Sequence, residues 1–185
     1  MIVGLVGPSG SGKTSIIQKL LEMQEEGVEF PVGKFEFLRA ATTKDTRLED
    51  YTQVSISEFE RMISADELVE YTNYSGNYYG VPKTAIESLG DKIGIKALDI
   101  VGAKSFKRLY GDNVIIIFVY RKTEALVQSI LARNVSDAEK NARISQLEDE
   151  QKNRHAEEID GILKIDENDI PATINRLMHL ILAIK

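Results

Sequence analysis

Short apolar runs recur along the chain with the length of buried β-strands. Most are built from valine, isoleucine, leucine and phenylalanine, and none exceeds seven residues. The runs that predict strands are Ile2–Val6, Phe35–Leu38, Ile93–Asp99, Val114–Tyr120 and Ile162–Ile165. Continuous apolar runs of this kind are typical of strands covered on both faces, so they predict a parallel sheet in the core.

Helical periodicity separates several of these runs. Near the C-terminus, Ile174, Leu177, Met178, Ile181 and Leu182 repeat at the spacing of one helix face. Comparable stripes predict helices over Ser15–Met23, Gly102–Leu109, Thr123–Arg133 and Asp169–Ile184. Strands that alternate with helices indicate an α/β protein with helices on both faces of the parallel sheet.

Two segments depart from this alternation. Residues 40–82 are rich in tyrosine, threonine and serine, and their short alternating runs predict an inserted mixed module. Residues 136–158 are highly charged and helical with little apolar surface, which suits a mobile lid or, equally well, a solvated helix face. The expected organisation is therefore a core at 1–38, 84–122 and 157–185, an inserted module at 39–83 and a lid at 123–156.

Composition narrows the class of protein. A chain of 185 residues suits one compact domain with small insertions, and its net charge of −6 argues against nucleic acid as the main partner. The absence of cysteine excludes disulfides and thiolate metal sites. The longest apolar run, Val114–Tyr120, is far shorter than a membrane span. We therefore expect a cytoplasmic protein without a membrane partner, either a monomer or a homodimer.

A glycine-rich motif follows the first predicted strand and precedes the first predicted helix. It reads Gly7-Pro8-Ser9-Gly10-Ser11-Gly12-Lys13-Thr14 and fits the phosphate-binding pattern G-x-x-x-x-G-K-[ST] at every fixed position. Glycines let backbone N–H groups turn toward a phosphate, and the helix N-terminus adds partial positive charge. The alternative is a glycine-rich turn that happens to precede a helix, and the agreement between the pattern and its flanking elements argues against it.

This motif predicts a P-loop core that binds ATP. The ATP-binding residues are expected to be Gly7, Ser9, Gly10, Ser11, Gly12, Lys13 and Thr14. Lys13 would reach the terminal phosphates, and the Thr14 hydroxyl would ligate Mg²⁺ together with the ATP phosphates. Since no cluster of histidine, aspartate and glutamate has ligand spacing, a metal site made of side chains alone is not expected.

Further motifs lie mostly in the inserted module. They are Thr42-Thr43-Lys44-Asp45-Thr46-Arg47, Asp50-Tyr51, Glu58-Phe59, Leu68-Val69-Glu70-Tyr71 and Ser75-Gly76-Asn77-Tyr78-Tyr79-Gly80. With the glycine-rich loop they resemble the guanylate kinase family, whose pattern includes T-T-R-x-x-R, D-Y-x-F-V-S, F-x-E-W and S-G-N-Y-Y-G. The likeness extends over nearly the whole chain.

The resemblance implies ATP-dependent phosphorylation of GMP or dGMP, with small-molecule nucleotides as partners. It assigns the acceptor phosphate to Lys44, Arg47, Tyr51 and Tyr79, and the guanine base to Glu70 and Asp99. Guanine presents N1–H and its amino group side by side, so one carboxylate can accept both hydrogen bonds. The implied catalytic residues are Lys13, Arg47, Arg133 and Arg143, the last two as lid arginines that close on the triphosphate.

The sequence also departs from the family pattern. Ala40 stands where most guanylate kinases carry a serine, and Val81 replaces a hydroxyl that usually follows N-Y-Y-G. In the family both hydroxyls donate to guanine O6, and an unmatched buried carbonyl weakens binding by about tenfold or more. Lys44 replaces an arginine, and Ser129 replaces an expected lid arginine. These departures leave the preference for guanine open.

Other interpretations remain at this stage. The segment Tyr78-Tyr79-Gly80-Val81 is similar to one in a related family that phosphorylates ribose 1,5-bisphosphate. Non-catalytic guanylate-kinase-like modules bind phosphopeptides, although their loop is commonly degraded. Considered singly, Glu70 fits a solvent-facing strand position, Tyr79 fits a core aromatic, and Arg133 and Arg143 fit surface charges.

Overall fold

A computed structural model describes residues 1–45, 51–74, 76–165 and 169–185. The described strands are β1 Ile2–Val6, β2 Phe35–Phe37, β3 Ala40–Thr42, β4 Tyr51–Gln53, β5 Leu68–Tyr74, β6 Asn77–Pro82, β7 Ile93–Ala97, β8 Val114–Tyr120 and β9 Gly161–Lys164. The described α-helices are α1 Lys13–Glu25, α2 Ile56–Ser64, α3 Lys83–Glu87, α4 Ile100–Tyr110, α5 Thr123–Leu131, α6 Asp137–Lys152 and α7 Ile170–Ile184.

The core is a five-stranded parallel sheet with the order β2-β7-β1-β8-β9. The central strands β1 and β8 pair in parallel from Ile2 opposite Val114 to Val6 opposite Phe118. Because all five strands run the same way, their carboxyl ends lie along one edge, where α/β proteins place ligands. The parallel sheet predicted from the apolar runs is confirmed.

Helices cover both faces of this sheet, as predicted. On one face α1 and α7 contribute Leu20 and Leu177 to a cluster with Val3 and Ile117. On the other face α4 packs Phe106 against Ile116. Each fully buried side chain of this size stabilises the fold by about 1.5–3 kcal/mol.

The inserted segment forms a second, four-stranded sheet with the order β4-β3-β6-β5. Strands β3 and β4 pair in parallel, and the other pairings are antiparallel. Helix α2 closes this sheet: Ser55 caps it by accepting from Glu58 N–H at 3.1 Å, and Phe59 is buried beneath the strands.

Helix α6 packs less weakly than its sequence predicts. Its Leu147 is fully buried against Leu126 and Ile130 of α5. Ser136 accepts a hydrogen bond from Glu139 N–H at 3.2 Å and caps its N-terminus. The helix ends at Lys152 and is followed by a short turn of 3-10 helix, so the charged segment is not helical as far as Glu158.

Most element boundaries differ from the prediction by one or two residues, and two of the differences bear on the site or on a helix cap. Strand β7 ends at Ala97, and Asp99 instead caps α4. The last helix begins at Ile170, with Asp169 as its cap. In the described part of the chain, no helix combines the length and the hydropathy that crossing a membrane requires.

Candidate active site

The glycine-rich loop joins β1 to α1 at the carboxyl edge of the sheet. Gly7, Gly10 and Gly12 have φ angles of 150°, 84° and 94°, a region that other residues rarely adopt. A Cβ atom on Gly7 would also lie 2.6 Å from the backbone oxygen of Val119 on β8. The loop shape therefore requires glycine.

Lys13 folds back across the loop. Its Nζ donates to the backbone oxygens of Gly7 at 2.6 Å and Pro8 at 3.0 Å. Burial lowers the pKa of Lys13 to about 8, while Glu150 acts to raise that pKa and Arg133 to lower it. A bound polyphosphate at this position would favour the charged ammonium.

Helix α6 reaches the loop through two side chains. Glu150 Oε2 accepts a hydrogen bond from the Ser9 backbone N–H at 3.1 Å. Arg143 Nη1 donates to Ser9 Oγ at 2.8 Å, and Arg143 also pairs with Glu139 at 2.8 Å. The segment predicted as a lid therefore lies over the predicted phosphate loop.

The loop borders a cavity of about 410 Å³. Four cationic side chains line it, namely Lys13, Arg121, Arg133 and Arg143. Converging positive charge suits a polyanionic ligand. We call this space the donor cavity.

Thr14 lies exposed at the start of α1 and also lines the donor cavity. In the described residues no group of three or more histidine, cysteine, aspartate or glutamate side chains could hold a metal ion. The donor set therefore fits an Mg²⁺ that takes one hydroxyl oxygen from Thr14 and most of its ligands from phosphates and water.

Arg121 was missed in the sequence analysis. It follows β8 directly, and its Nη1 donates to Ser129 Oγ at 3.0 Å and lies 3.5 Å from Gly10 O. Ser129 itself lies in α5 and lines the same cavity. A basic residue just after a central parallel strand is the signal that identifies such a position.

A second cavity of about 170 Å³ lies between the two sheets. It brings together Tyr51, Glu70, Tyr79 and Asp99, which the resemblance assigns to the acceptor nucleotide. The rings of Tyr51 and Tyr79 meet edge to face with centroids 5.8 Å apart. We call this space the acceptor cavity.

Close packing around Gly80 forms part of the wall of the acceptor cavity. A Cβ on Gly80 would lie 2.8 Å from the Glu70 backbone oxygen and 3.1 Å from the Phe59 ring. The two threonines of the T-T motif tie β3 to β6: Thr42 Oγ1 donates to Tyr78 O at 2.8 Å, and Thr43 Oγ1 accepts from Tyr78 N at 2.9 Å. The motif residues thus place Glu70 and Tyr79 against one space.

Glu70 is a perturbed acid. Burial raises its pKa to about 7, while Lys96 acts to lower the pKa and Asp99 to raise it. Ionisable side chains whose pKa is strongly shifted by burial in a cleft are common in binding sites.

Asp99 lies beside Glu70, and its side chain also has a structural role. Its Oδ1 accepts a hydrogen bond of 2.6 Å from the backbone N–H of Gly102, which caps α4. One oxygen is therefore committed to the helix end.

Lys96 is a second residue that the sequence analysis missed. It lies in β7 and lines the acceptor cavity. It also lines a small cavity of about 100 Å³ with Thr14 of α1 and Tyr51. Since this small cavity shares walls with both larger ones, donor and acceptor cavities adjoin.

The structure does not bring every predicted residue to these cavities. Lys44 is exposed and lines neither of them. Ala40 lines the acceptor cavity, whereas Val81 is buried in the core and does not. Arg47 lies outside the described residues, as do Ser75 and the acidic stretch at 166–168.

Fold and site together define a P-loop kinase with an inserted acceptor module. The crystal structure of guanylate kinase from Anaplasma phagocytophilum superposes with a TM-score of 0.68 at 24% identity, covering 99% of this chain and 84% of that one. Shikimate kinase from Acinetobacter baumannii in complex with shikimate has the same core, with a TM-score of 0.52 at 17% identity over 100% of this chain and 94% of its own.

Sequence comparison identifies the family. The model described as Guanylate kinase matches residues 1–184. The guanylate kinase of Porphyromonas gingivalis is 32% identical over 140 residues, which cover 74% of this chain and 73% of that protein. The guanylate kinase of Salinibacter ruber is 30% identical over 186 residues, covering 97% and 96% of the two chains. The chain belongs to the guanylate kinase family of nucleoside monophosphate kinases.

Proposed function

We propose that this protein transfers the γ-phosphoryl group of ATP to GMP or dGMP and releases the two nucleoside diphosphates. The observation that carries the proposal is the pair of adjoining cavities, one lined by the glycine-rich loop and four cations, the other by Glu70 and two tyrosines. Phosphoryl transfer needs this arrangement of two anion-binding spaces side by side.

The donor cavity holds the triphosphate of ATP in this proposal. Backbone N–H groups of the loop and the N-terminus of α1 bind the β- and γ-phosphates, and Lys13 exchanges its contacts with Gly7 and Pro8 for phosphate oxygens. A neighbouring cavity of about 230 Å³, lined by Ile165 and Ile170 beside the loop, suits the adenine ring.

When bound, Mg²⁺ would neutralise charge on the transferring phosphates, and Thr14, which lines the donor cavity, would supply a hydroxyl ligand for it. The other catalytic contributions come from arginine. Arg133 and Arg143 line the donor cavity from the lid, where their guanidinium groups stabilise the negative charge of the transition state. Arg47 would act from the acceptor side.

The acceptor cavity holds GMP. Tyr51 and Tyr79 line it and bind the phosphate of GMP, and Glu70 accepts hydrogen bonds from N1–H and the 2-amino group. The resemblance also assigns Arg47 and Lys44 to this phosphate, although Lys44 does not line the cavity in this structure. Asp99 lies at the same end of the cavity. The acceptor phosphate supplies its own nucleophilic oxygen, so no general base is required.

The proposed modules follow from these roles. The core comprises 1–38, 84–122 and 157–185, the acceptor module 39–83, and the lid 123–156. Closure of lid and acceptor module expels water from the space between the phosphates, which prevents hydrolysis of ATP.

The alternatives fit the site less well. Two carboxylates, Glu70 and Asp99, line the acceptor cavity and would repel a sugar bisphosphate. A module that only binds phosphopeptides does not require an intact lysine-bearing loop or a cationic cavity beside it.

A coupled assay of ADP release tests the proposal. With ATP and Mg²⁺ fixed, we expect turnover with GMP and dGMP to exceed turnover with AMP, CMP and UMP by about 100-fold or more. Lys13→Ala should abolish this turnover. Lys19→Ala should not, because Lys19 is a half-exposed lysine of α1 that pairs with Glu22. No turnover with GMP or dGMP would overturn the proposal.

A further inference from the structure

Lys96 is an unusual residue for its position. It occupies a strand of the central sheet between Ile95 and Ala97, and only 9% of it is exposed. Within the described ranges it is the one lysine that is buried. Burial of an ammonium group costs free energy unless polar or charged groups surround it, so a lysine at this position indicates a specific role.

Two of the contacts of the ammonium place it at the carboxyl edge of the sheet. Lys96 Nζ donates to the backbone oxygen of Leu38 at 3.0 Å and lies 5.1 Å from the centroid of the Phe37 ring. An ammonium has three N–H donors, so it can keep the Leu38 contact and still donate to a ligand. These contacts bring a fixed cation to the wall that Glu70 and Asp99 also form.

The chemistry of guanine requires a donor at this wall. A carboxylate that accepts from N1–H and the 2-amino group leaves the adjacent O6 facing the same surface. Ala40, which lines the cavity, offers no donor, and Val81 does not reach it. Thr72 of β5 also lines the cavity with a hydroxyl, but among the described residues Lys96 is the cationic donor that shares the cavity with Glu70.

We infer that Lys96 donates a hydrogen bond to O6 of the guanine base that Glu70 reads, and that the pair Glu70–Lys96 determines base preference. This inference rests on the proposed function. The attraction between the two side chains, which lowers the pKa of Glu70 relative to burial alone, agrees with their proximity.

The same contact rejects adenine. Adenine carries an amino group at C6, and that donor would face the ammonium of Lys96 with no acceptor between them. Its N1 has no proton to donate to Glu70. Both members of the pair therefore disfavour AMP, which is a form of selection by unfavourable contact.

The test compares GMP with 6-thio-GMP, which keeps the donors for Glu70 but replaces O6 with a weaker sulfur acceptor. In the unaltered protein we expect kcat/KM to be about 10- to 100-fold higher for GMP. In Lys96→Met this ratio should fall to below about threefold, with GMP losing most and the KM for ATP unchanged.

Two further variants sharpen the result. Lys96→Gln keeps a neutral N–H donor and should give an intermediate ratio, also serving if the methionine variant does not fold. Lys92→Met is the matched control, since Lys92 precedes the same strand but is exposed and pairs with Glu36. That variant should behave as the unaltered protein.

The ratio of kcat/KM for GMP to kcat/KM for IMP distinguishes the contribution of Glu70 from that of Lys96. IMP lacks only the 2-amino group, so this ratio reports on Glu70 and should persist in Lys96→Met. A general loss of cavity structure would reduce both ratios, and it would contradict the specific contact.

The outcomes distinguish this inference from the proposed function. If the unaltered protein phosphorylates GMP but prefers it to 6-thio-GMP by less than about threefold, or if Lys96→Met and Lys96→Gln keep the full preference, the inference is overturned and the proposed function stands. If the unaltered protein does not phosphorylate GMP, both fail.

Discussion

The carboxylate of Glu150, near the end of α6, accepts a hydrogen bond of 3.1 Å from the backbone N–H of Ser9 in the glycine-rich loop. In the proposed function this N–H would face a phosphate of ATP, so helix α6 places a negative charge where the ligand would bind. The carboxylate also acts to raise the pKa of Lys13. Under the proposed function, Glu150 is therefore an internal stand-in for part of the ATP phosphates.

The first prediction concerns this stand-in. Glu150→Gln removes the negative charge that competes with ATP, so the KM for ATP should fall by about three- to tenfold. Glu148→Gln is the control, because Glu148 is exposed on the same helix and lies 3.9 Å from Lys152. Isothermal titration with a non-hydrolysable ATP analogue measures the effect directly. Weaker binding in Glu150→Gln would mean that the carboxylate supports the loop and does not compete.

The second prediction concerns Arg143. Its guanidinium donates to Ser9 Oγ at 2.8 Å and lines the donor cavity, and it lies on α6, in the proposed lid. Because the proposed role is charge stabilisation in the transition state, Arg143→Ala should lower kcat by about 100-fold or more while KM for ATP changes little.

The control for that experiment is Arg154→Ala. Arg154 lies 5.8 Å from the Tyr120 ring centroid and is not among the residues that line the donor cavity. It should retain nearly full turnover. Steady-state kinetics on both variants decide the matter, and unchanged kcat in Arg143→Ala would refute the role of this arginine.

The third prediction is a pH dependence of GMP binding. The pKa of Glu70 is raised to about 7 by burial, and only the ionised carboxylate accepts both guanine donors. The KM for GMP should therefore rise by roughly tenfold as pH falls from 8 to 6. Titration of the GMP phosphate contributes to this profile in every variant. Glu70→Gln removes the base-reading part alone, so its KM for GMP should be high and its profile flatter.

The fourth prediction concerns stability without ligand. An acid whose folded pKa lies above its unfolded value destabilises the folded state once it ionises, so this cost appears as pH rises from about 4.5 through about 7. Relative to the unaltered protein, Glu70→Gln should gain stability over that range, by up to about 3 kcal/mol at pH 8. Urea unfolding at pH 5 and pH 8 gives the difference. An equal effect at both values would show that Glu70 ionises normally in the folded chain.

The fifth prediction concerns Ala40, a buried residue of β3 that lines the acceptor cavity. Ala40→Ser adds a hydroxyl donor there. In the unaltered background the gain in GMP affinity should be small, below about threefold, because Lys96 already contacts O6. In Lys96→Met the same serine should restore about tenfold. Equal gains in the two backgrounds would show that the two donors act on different atoms.

Much of the fold could be predicted from the sequence because it depends on local patterns. The apolar runs of β1 and β8 identify central strands, since a strand buried on both faces tolerates few polar residues. The glycine-rich loop was predictable residue by residue, because its φ angles exclude most side chains. The resemblance to the guanylate kinase family assigned Glu70 and Tyr79 to the acceptor nucleotide, and both line the acceptor cavity.

Other features escaped the sequence because they depend on packing. Helix α6 looked like a weakly packed segment, yet Leu147 is buried against α5. Asp99 looked like the end of a strand, yet its carboxylate caps α4. In a highly charged stretch of sequence, a single apolar residue or a single capping residue does not stand out enough to predict burial or a helix start.

The amino-acid sequence alone was sufficient to predict a parallel α/β core that carries a glycine-rich loop of the phosphate-binding pattern, and to propose Glu70 as the residue that contacts the base. Those features follow from periodicity and from short motifs. The contacts of the charged side chains became known only from the three-dimensional structure. Arg121 reaches Gly10 across 111 positions, and Glu150 reaches Ser9 across 141. Lys96 looks like a core strand position until it is found beside Glu70. Parallel strands bring residues that are remote in the chain to one edge of the sheet, and a local sequence pattern cannot predict contacts of this kind.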